Sequence, residues 1–190
     1  MKTNIYFVRH AHSIYTPDEL GRPLSKEGKQ DAVRVASLLQ SENIDLVYAS
    51  PYKRAIETVQ GIAGTIGKEI IIEEGFKERI LSEEPVEDFK FAISKVWEDY
   101  DFHFAGGESN HMAQERGIQA LYNVLEHHKG KNIVIGTHGN IMVLIMNYFD
   151  RTYDFIFWQE LEMPDIYKLS FEQDSLLDVI RIWNKGEGKD

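Results

Sequence analysis

The stretch "NIYFVRHAHS", residues 4–13, sets an apolar run from Ile5 to Val8 directly against Arg9, His10 and His12. A short run of β-branched and aromatic residues reads as a buried strand. Its abrupt end in cationic or cation-capable side chains raises the question of what they face at the strand's carboxyl edge: a metal ion, an anion or nothing at all.

Outward from this strand, strand-like and helix-like periods alternate. "LSKEGKQDAVRVASLLQSEN" carries apolar residues at Ala32, Val33, Val35, Ala36 and Leu39, with Ser25 placed to cap a helix. "IDLVYAS" reads as a second strand. It leads into "SPYKRAIETVQGIAGTIG", where Ser50 is the expected cap, Pro51 the first helical residue, and Tyr52, Ala55, Ile56, Val59, Ile62 and Ile66 the apolar stripe. "EIIIEE" is a third strand, and "NIVIGT" a fourth that enters a helix near Asn140. "DIYKLSFEQDSLLDVIRIW" reads as two strands joined by a turn at Gln173–Ser175.

Such alternation implies an α/β fold. The expected architecture is a single-domain three-layer α/β/α sandwich with a mostly parallel central sheet, spanning residues 1–190. Residues 75–130 form an expected helical, lid-like insertion that includes the aromatic-rich "DFKFAISKVWEDYDFHF". No repeat or linker marks a second domain.

Bulk properties narrow the function. A formal net charge of −10 disfavours nonspecific nucleic-acid binding, because phosphate backbones are repelled at long range. The absence of cysteine removes disulfides and thiolate zinc sites and fits a reducing compartment, so a cytoplasmic location is expected. The N-terminal run "IYFV" is too short for a signal-peptide core. Asn132 to Phe149 is free of charged residues, but "GTHGN" interrupts it, so strand, turn and buried helix is expected and no membrane span.

Ligands in open α/β sheets bind beyond the carboxyl ends of strands. Arg9-His10, then Ser50-Pro51 leading to Arg54, and then Thr137-His138-Gly139 all follow predicted strands. If those strands are neighbours, two arginines and two histidines share one crevice. Arginine forks suit phosphate oxygens, and helix N-termini near Ser50 and Asn140 would add backbone donors. The pattern favours an anion, a phosphoryl group above all.

Five stretches taken together resemble the histidine phosphatase (phosphoglycerate mutase-like) superfamily. "VRHAHS" is similar to its Arg-His-Gly opening, "ASPYKRAIET" to its Ser-Pro, arginine and Ala-x-x-Thr motif, and "FKER" to its Leu-x-Glu-Arg. "GGES" resembles its Gly-Glu-Ser, and "VIGTHGN" its final His-Gly, all in the family's order.

The resemblance implies a metal-independent phosphomonoesterase. His10 would be the nucleophile that forms a phosphohistidine, and Glu78 the general acid and then base. Arg9, Arg54 and His138 would hold the phosphoryl oxygens, with Thr16 and Ser109 as further candidates and His111 near the pocket. A small phosphorylated substrate is implied as the only partner, with no metal or organic cofactor. Substrate identity and oligomeric state are not legible.

Departures are Ala11 where the family has glycine, Thr16 where many members have asparagine, and "RILSEEP" after Glu78 in place of a glycine-tryptophan pattern. Glu73, Glu74, Glu83 and Glu84 crowd the acid's neighbourhood.

Three rival readings are a mutase that returns the phosphoryl group to its product, a metal-dependent hydrolase built on His10-x-His12, and a silent phosphate-binding protein. The first has longer chains with extra substrate-gripping segments. The second normally needs a full barrel. The third usually lacks the nucleophile or an arginine, and both are present here. Phe89–Phe104 and "DFIFW" at 154–158 suggest an apolar wall beside the leaving group.

Overall fold

The computed structural model describes residues 1–184. Six strands form one sheet: β1 (Lys2–Arg9), β2 (Leu46–Ala49), β3 (Ile70–Ile72), β4 (Asn132–Thr137), β5 (Asp165–Glu172) and β6 (Ser175–Arg181). Their order is β3-β2-β4-β1-β5-β6, with β3, β2, β4 and β1 mutually parallel and β5 antiparallel to both its neighbours. The helices are α1 (Lys26–Leu39), α2 (Lys53–Ile66), α3 (Phe89–Glu98), α4 (Asn110–His127), α5 (Gly139–Phe149) and α6 (Phe155–Glu160).

The period of two in β1 explains the layering. Ile5 and Phe7 point into one apolar cluster, which contains residues of α3, α4 and α5. Tyr6 and Val8 point into another, built with Val35, Leu39, Val59 and Ile62 of α1 and α2. A strand that is apolar on both faces must be covered on both, which makes the three layers and a mixed α/β single domain. β3, at the sheet edge, leaves Ile71 and Ile72 exposed.

Local chemistry sets the helix ends. Ser25 Oγ accepts from Gly28 N at 3.0 Å and starts α1 as expected. Gly67 ends α2 at φ 65°, a conformation glycine adopts without strain. One boundary differs from the sequence expectation. Ser50 does not cap α2, which begins at Lys53 after Tyr52. The Ser50 hydroxyl is drawn instead to His138 Nε2, at 2.7 Å.

The segment 75–130 is less helical than expected. Only α3 and α4 occupy it, and irregular chain runs between Lys77 and Asp88 and again from Asp99 to Ser109. Among the described residues no helix is long and apolar enough to cross a membrane; the charge-free run is β4 followed by α5.

Candidate active site

The order β2-β4-β1 brings three strand ends side by side. Arg9 pairs with Thr137 and Ala49 with Gly136 across the ladder, so His10, Ser50 and His138 follow as neighbours. His10 N donates to Thr137 O and Ser50 N to Gly136 O, both at 2.9 Å, carrying the sheet pattern one residue into the site.

His10 is 8% exposed. Its Nδ1 lies 2.8 Å from Ala11 O, and a carbonyl can only accept, so Nδ1 carries the proton and Nε2 the lone pair. Arg54 Nε donates to that Nε2 at 3.3 Å. Burial first, then His138, Arg54 and Arg9, hold His10 well below the ordinary histidine value, against the opposing pull of the Ala11 carbonyl. The imidazole is therefore neutral with its free nitrogen facing the guanidinium. Ala11 fits: its methyl is buried and its N donates to Thr58 Oγ1 at 3.0 Å, while Thr58 Oγ1 donates to Arg54 O. The Ala-x-x-Thr motif thus ties the segment carrying His10 to α2.

His138 is fully buried and is also held well below the ordinary value, by burial and then by Arg54, Arg9 and Arg116. Its ring meets His10 edge-on, with centroids 5.2 Å apart. Gly139 follows because a Cβ there would lie 3.1 Å from Arg9 Nε. Arg9 Nη1 donates to the carbonyls of Leu161 and Glu162, at 3.1 Å each, which orients the guanidinium from the loop after α6.

Glu78 reaches the site from the loop after β3. Thr137 Oγ1 donates to Phe76 O at 2.8 Å, and Arg116 Nη1 donates to Gly75 O and Lys77 O. Arg116 is in turn gripped by both oxygens of Glu108, at 2.9 Å each. The glutamate of the Gly-Glu-Ser motif is therefore a positioning residue for the Glu78 loop. α5 has no side-chain cap of its own. Its first N–H groups go to Glu78, with Asn140 N donating to Oε2 at 3.2 Å and Ile141 N to Oε1 at 3.1 Å. The Asn140 amide also faces Glu78, its Nδ2 at 3.4 Å, while Trp97 Nε1 donates to its Oδ1 at 3.2 Å.

Arg9, His10, Arg54 and Glu78 line a cavity of about 470 Å³, whereas His138, fully buried and hydrogen-bonded to Ser50, stands behind them and is not among its lining residues. Sequence reasoning did not single out several further polar liners, among them Ser13, Glu19, Arg22, Tyr52, Arg79 and Ser82. Arg79 and Tyr52 lay inside quoted motifs, whereas Glu19 and Arg22 sit in an irregular loop with no periodic signal. Of the expected apolar wall only Phe89 and Trp158 line the cavity, and Ile80, Leu81 and Met163 supply the rest of its apolar lining.

Three sequence candidates lie elsewhere. Thr16 Oγ1 donates to Asp18 O at 2.9 Å and is not among the cavity's lining residues. Ser109 is buried and spends its oxygen as the cap of α4, accepting from Met112 N at 3.1 Å. His111 pairs with Asp101 at 2.7 Å beside Tyr100. His10 and His12 diverge, for His12 is exposed and bonds Ser25 Oγ at 2.9 Å. β1 ends at Arg9, so the shared face on which a strand would hold residues i and i+2 is lost, and the two ligands that a His-x-His metal site needs point apart. Among the described residues no three His, Asp or Glu side chains gather in a metal-holding group.

Comparison with known proteins follows this geometry. The sequence profile of the histidine phosphatase superfamily (branch 1) matches residues 5–184. Phosphoglycerate mutase-like protein 4 of Arabidopsis thaliana is 35% identical over 156 residues, covering 73% of this chain and 67% of that protein. Phosphoserine phosphatase 1 of Hydrogenobacter thermophilus is 31% identical over 149 residues, covering 70% of each. Among solved structures, mycobacterial glucosyl-3-phosphoglycerate phosphatase superposes with a TM-score of 0.77 at 17% identity, over 95% of this chain and 97% of that one. The Entamoeba histolytica phosphoserine phosphatase, solved with 3-phosphoglyceric acid, gives a TM-score of 0.75 at 22% identity over 94% of each chain, a likeness of fold. The chain belongs to the histidine phosphatase superfamily.

Proposed function

We propose that this protein is a phosphatase that hydrolyses a small phosphomonoester through a phosphohistidine on His10, without a metal ion. The observation that carries the reading is the state of His10: neutral, its proton fixed on Nδ1 by Ala11 O, and its Nε2 lone pair beside Arg54.

In the first step Nε2 attacks phosphorus as the bond to the leaving oxygen breaks. Arg9, Arg54 and His138 hold the equatorial oxygens and their charge. The leaving oxygen takes a proton from the Glu78 carboxyl. In the second step water attacks the phosphohistidine and gives its proton to the Glu78 carboxylate. Phosphate departs, and neutral His10 and protonated Glu78 are restored. Both Glu78 oxygens accept N–H hydrogen bonds, from Arg79, Asn140 and Ile141, which hold the carboxyl at the cavity wall.

The loop carrying Glu78 to Ser82, together with Phe89, walls the cavity on one side, which supports a lid-like role for residues 75–130. The absence of cysteine supports a cytoplasmic setting. The likeness to a phosphoglycerate mutase-like protein keeps one second reading, in which the phosphoryl group returns to the product.

The test is p-nitrophenyl phosphate hydrolysis in EDTA at mildly acidic pH, with wild type and His10→Ala. Turnover that disappears in the variant is the expected result, and turnover that survives overturns the assignment of the nucleophile. Phosphate release from 3-phosphoglycerate, as against formation of 2-phosphoglycerate, separates phosphatase from mutase.

A further inference from the structure

The loop between β1 and α1 places a carboxylate on the arginine that the phosphoryl group needs. Glu19 Oε2 lies 3.2 Å from Arg54 Nη1, and its other oxygen is paired with Arg22. Arg54 is buried, whereas the Glu19 side chain is 57% exposed. The Glu19 backbone is anchored as well: its carbonyl accepts from the same Arg54 Nη1 at 2.9 Å, and independently the next carbonyl, Leu20 O, accepts from Lys53 N at 2.9 Å. The side chain can therefore swing into solvent while the loop stays in place. Arg22 is held independently of Glu19 by the Thr16 carbonyl and the face of Tyr15.

We infer that Glu19 is an internal counter-anion that occupies Arg54 and Arg22 in the free protein, yields to the phosphoryl group, and returns as inorganic phosphate leaves. This rests on the phosphatase reading of the same cavity. Arg54 Nε is already within 3.3 Å of His10 Nε2, so a group on that nitrogen enters the field of Arg54 directly. A dianion there and the Glu19 carboxylate compete for one guanidinium, and like charges at such spacing repel. Each anion that uses Arg54 is weakened by the fraction of molecules in which Glu19 holds it. For a phosphatase the useful consequence falls on the product, since a site with two arginines and no competitor would retain inorganic phosphate.

Calorimetric titration of inorganic phosphate and of orthovanadate into wild type, Glu19→Gln and Glu19→Asp tests this. Glu19→Gln keeps hydrogen-bonding capacity and removes the charge, and its phosphate Kd is expected to fall about three- to tenfold. Glu19→Asp, one methylene shorter, moves the same way by less. In an Arg54→Ala background Glu19→Gln has no further effect if the coupling runs through Arg54. A Kd that is unchanged or raised in Glu19→Gln overturns the inference, because Glu19 is then a bystander or a brace for Arg54. If neither anion binds wild type or any variant, the phosphatase reading itself fails. Binding by wild type with no gain in the variants sinks only the role of Glu19.

Discussion

The two sides of the cavity are built differently. The phosphoryl side stands on the ends of β1, β2 and β4, where His10 and Ser50 extend the ladder of a buried parallel sheet. The leaving-group side hangs on the loop after β3 and on residues near α3 and α6, and includes the exposed Phe89. Groups on strand ends inherit the sheet's rigidity, so their placement needs few dedicated contacts. Glu78 needs many: Thr137, Arg116 with Glu108, and the N-terminus of α5 all hold its loop. Under the proposed function, chemistry common to all phosphomonoesters would sit on the rigid side, and contacts that choose the ester on the side free to vary.

Substitutions can break that contrast. His10→Ala should lower kcat with p-nitrophenyl phosphate by about 10⁴-fold or more, since the nucleophile's loss leaves only binding and electrostatics. In Glu78→Gln the first step, read as the pre-steady-state burst, should slow about 10²–10⁴-fold with an alkyl phosphate, whose leaving oxygen needs a proton, and much less with p-nitrophenyl phosphate. Equal slowing of that step on both esters would mean that Glu78 does not protonate the leaving oxygen. Arg54→Ala should lower kcat/KM by about 10²–10³-fold on both esters alike, as expected of a residue that touches only the phosphoryl group.

Acidification probes the buried histidines. The unfolded chain takes up a proton near 6.5, whereas folded His10 does so only well below that value. Between the two the unfolded state holds more protons, so stability is full above about pH 6.5 and falls as the pH drops through this window. His138 adds to the same slope. Thermal melts from pH 7.5 down to 5 should show a shallower loss in His10→Asn than in wild type. Smallest of all, Ser109→Ala should cost about 1 kcal/mol of stability through the lost cap and leave kcat unchanged.

Much of this was legible from the sequence for a physical reason. Unbroken apolar runs such as "IYFV" and "IVI" at 133–135 suit a sheet covered on both faces, and the side chains following such strands fall at one edge. Ser109 shows the limit: an oxygen before a helix has capping and ligand binding open to it, and only geometry shows which it does. Glu19 and Arg22 lay beyond reach because their loop is set by single contacts such as Leu20 O to Lys53 N, which leave no periodic trace. Thr16, two residues from Asp18, was claimed by a local turn of the kind hydroxyl side chains commonly make.

The proposed mechanism turns on a phosphoryl group covalently held by His10. Rapid mixing with p-nitrophenyl phosphate, alkaline quenching to preserve an acid-labile phosphoramidate, and mass spectrometry of the peptides would test it directly. The account predicts one phosphoryl adduct on the peptide containing His10, absent in His10→Ala and accumulating in Glu78→Gln, where water lacks its base. Turnover with no adduct in Glu78→Gln, or an adduct on any other residue, would contradict it.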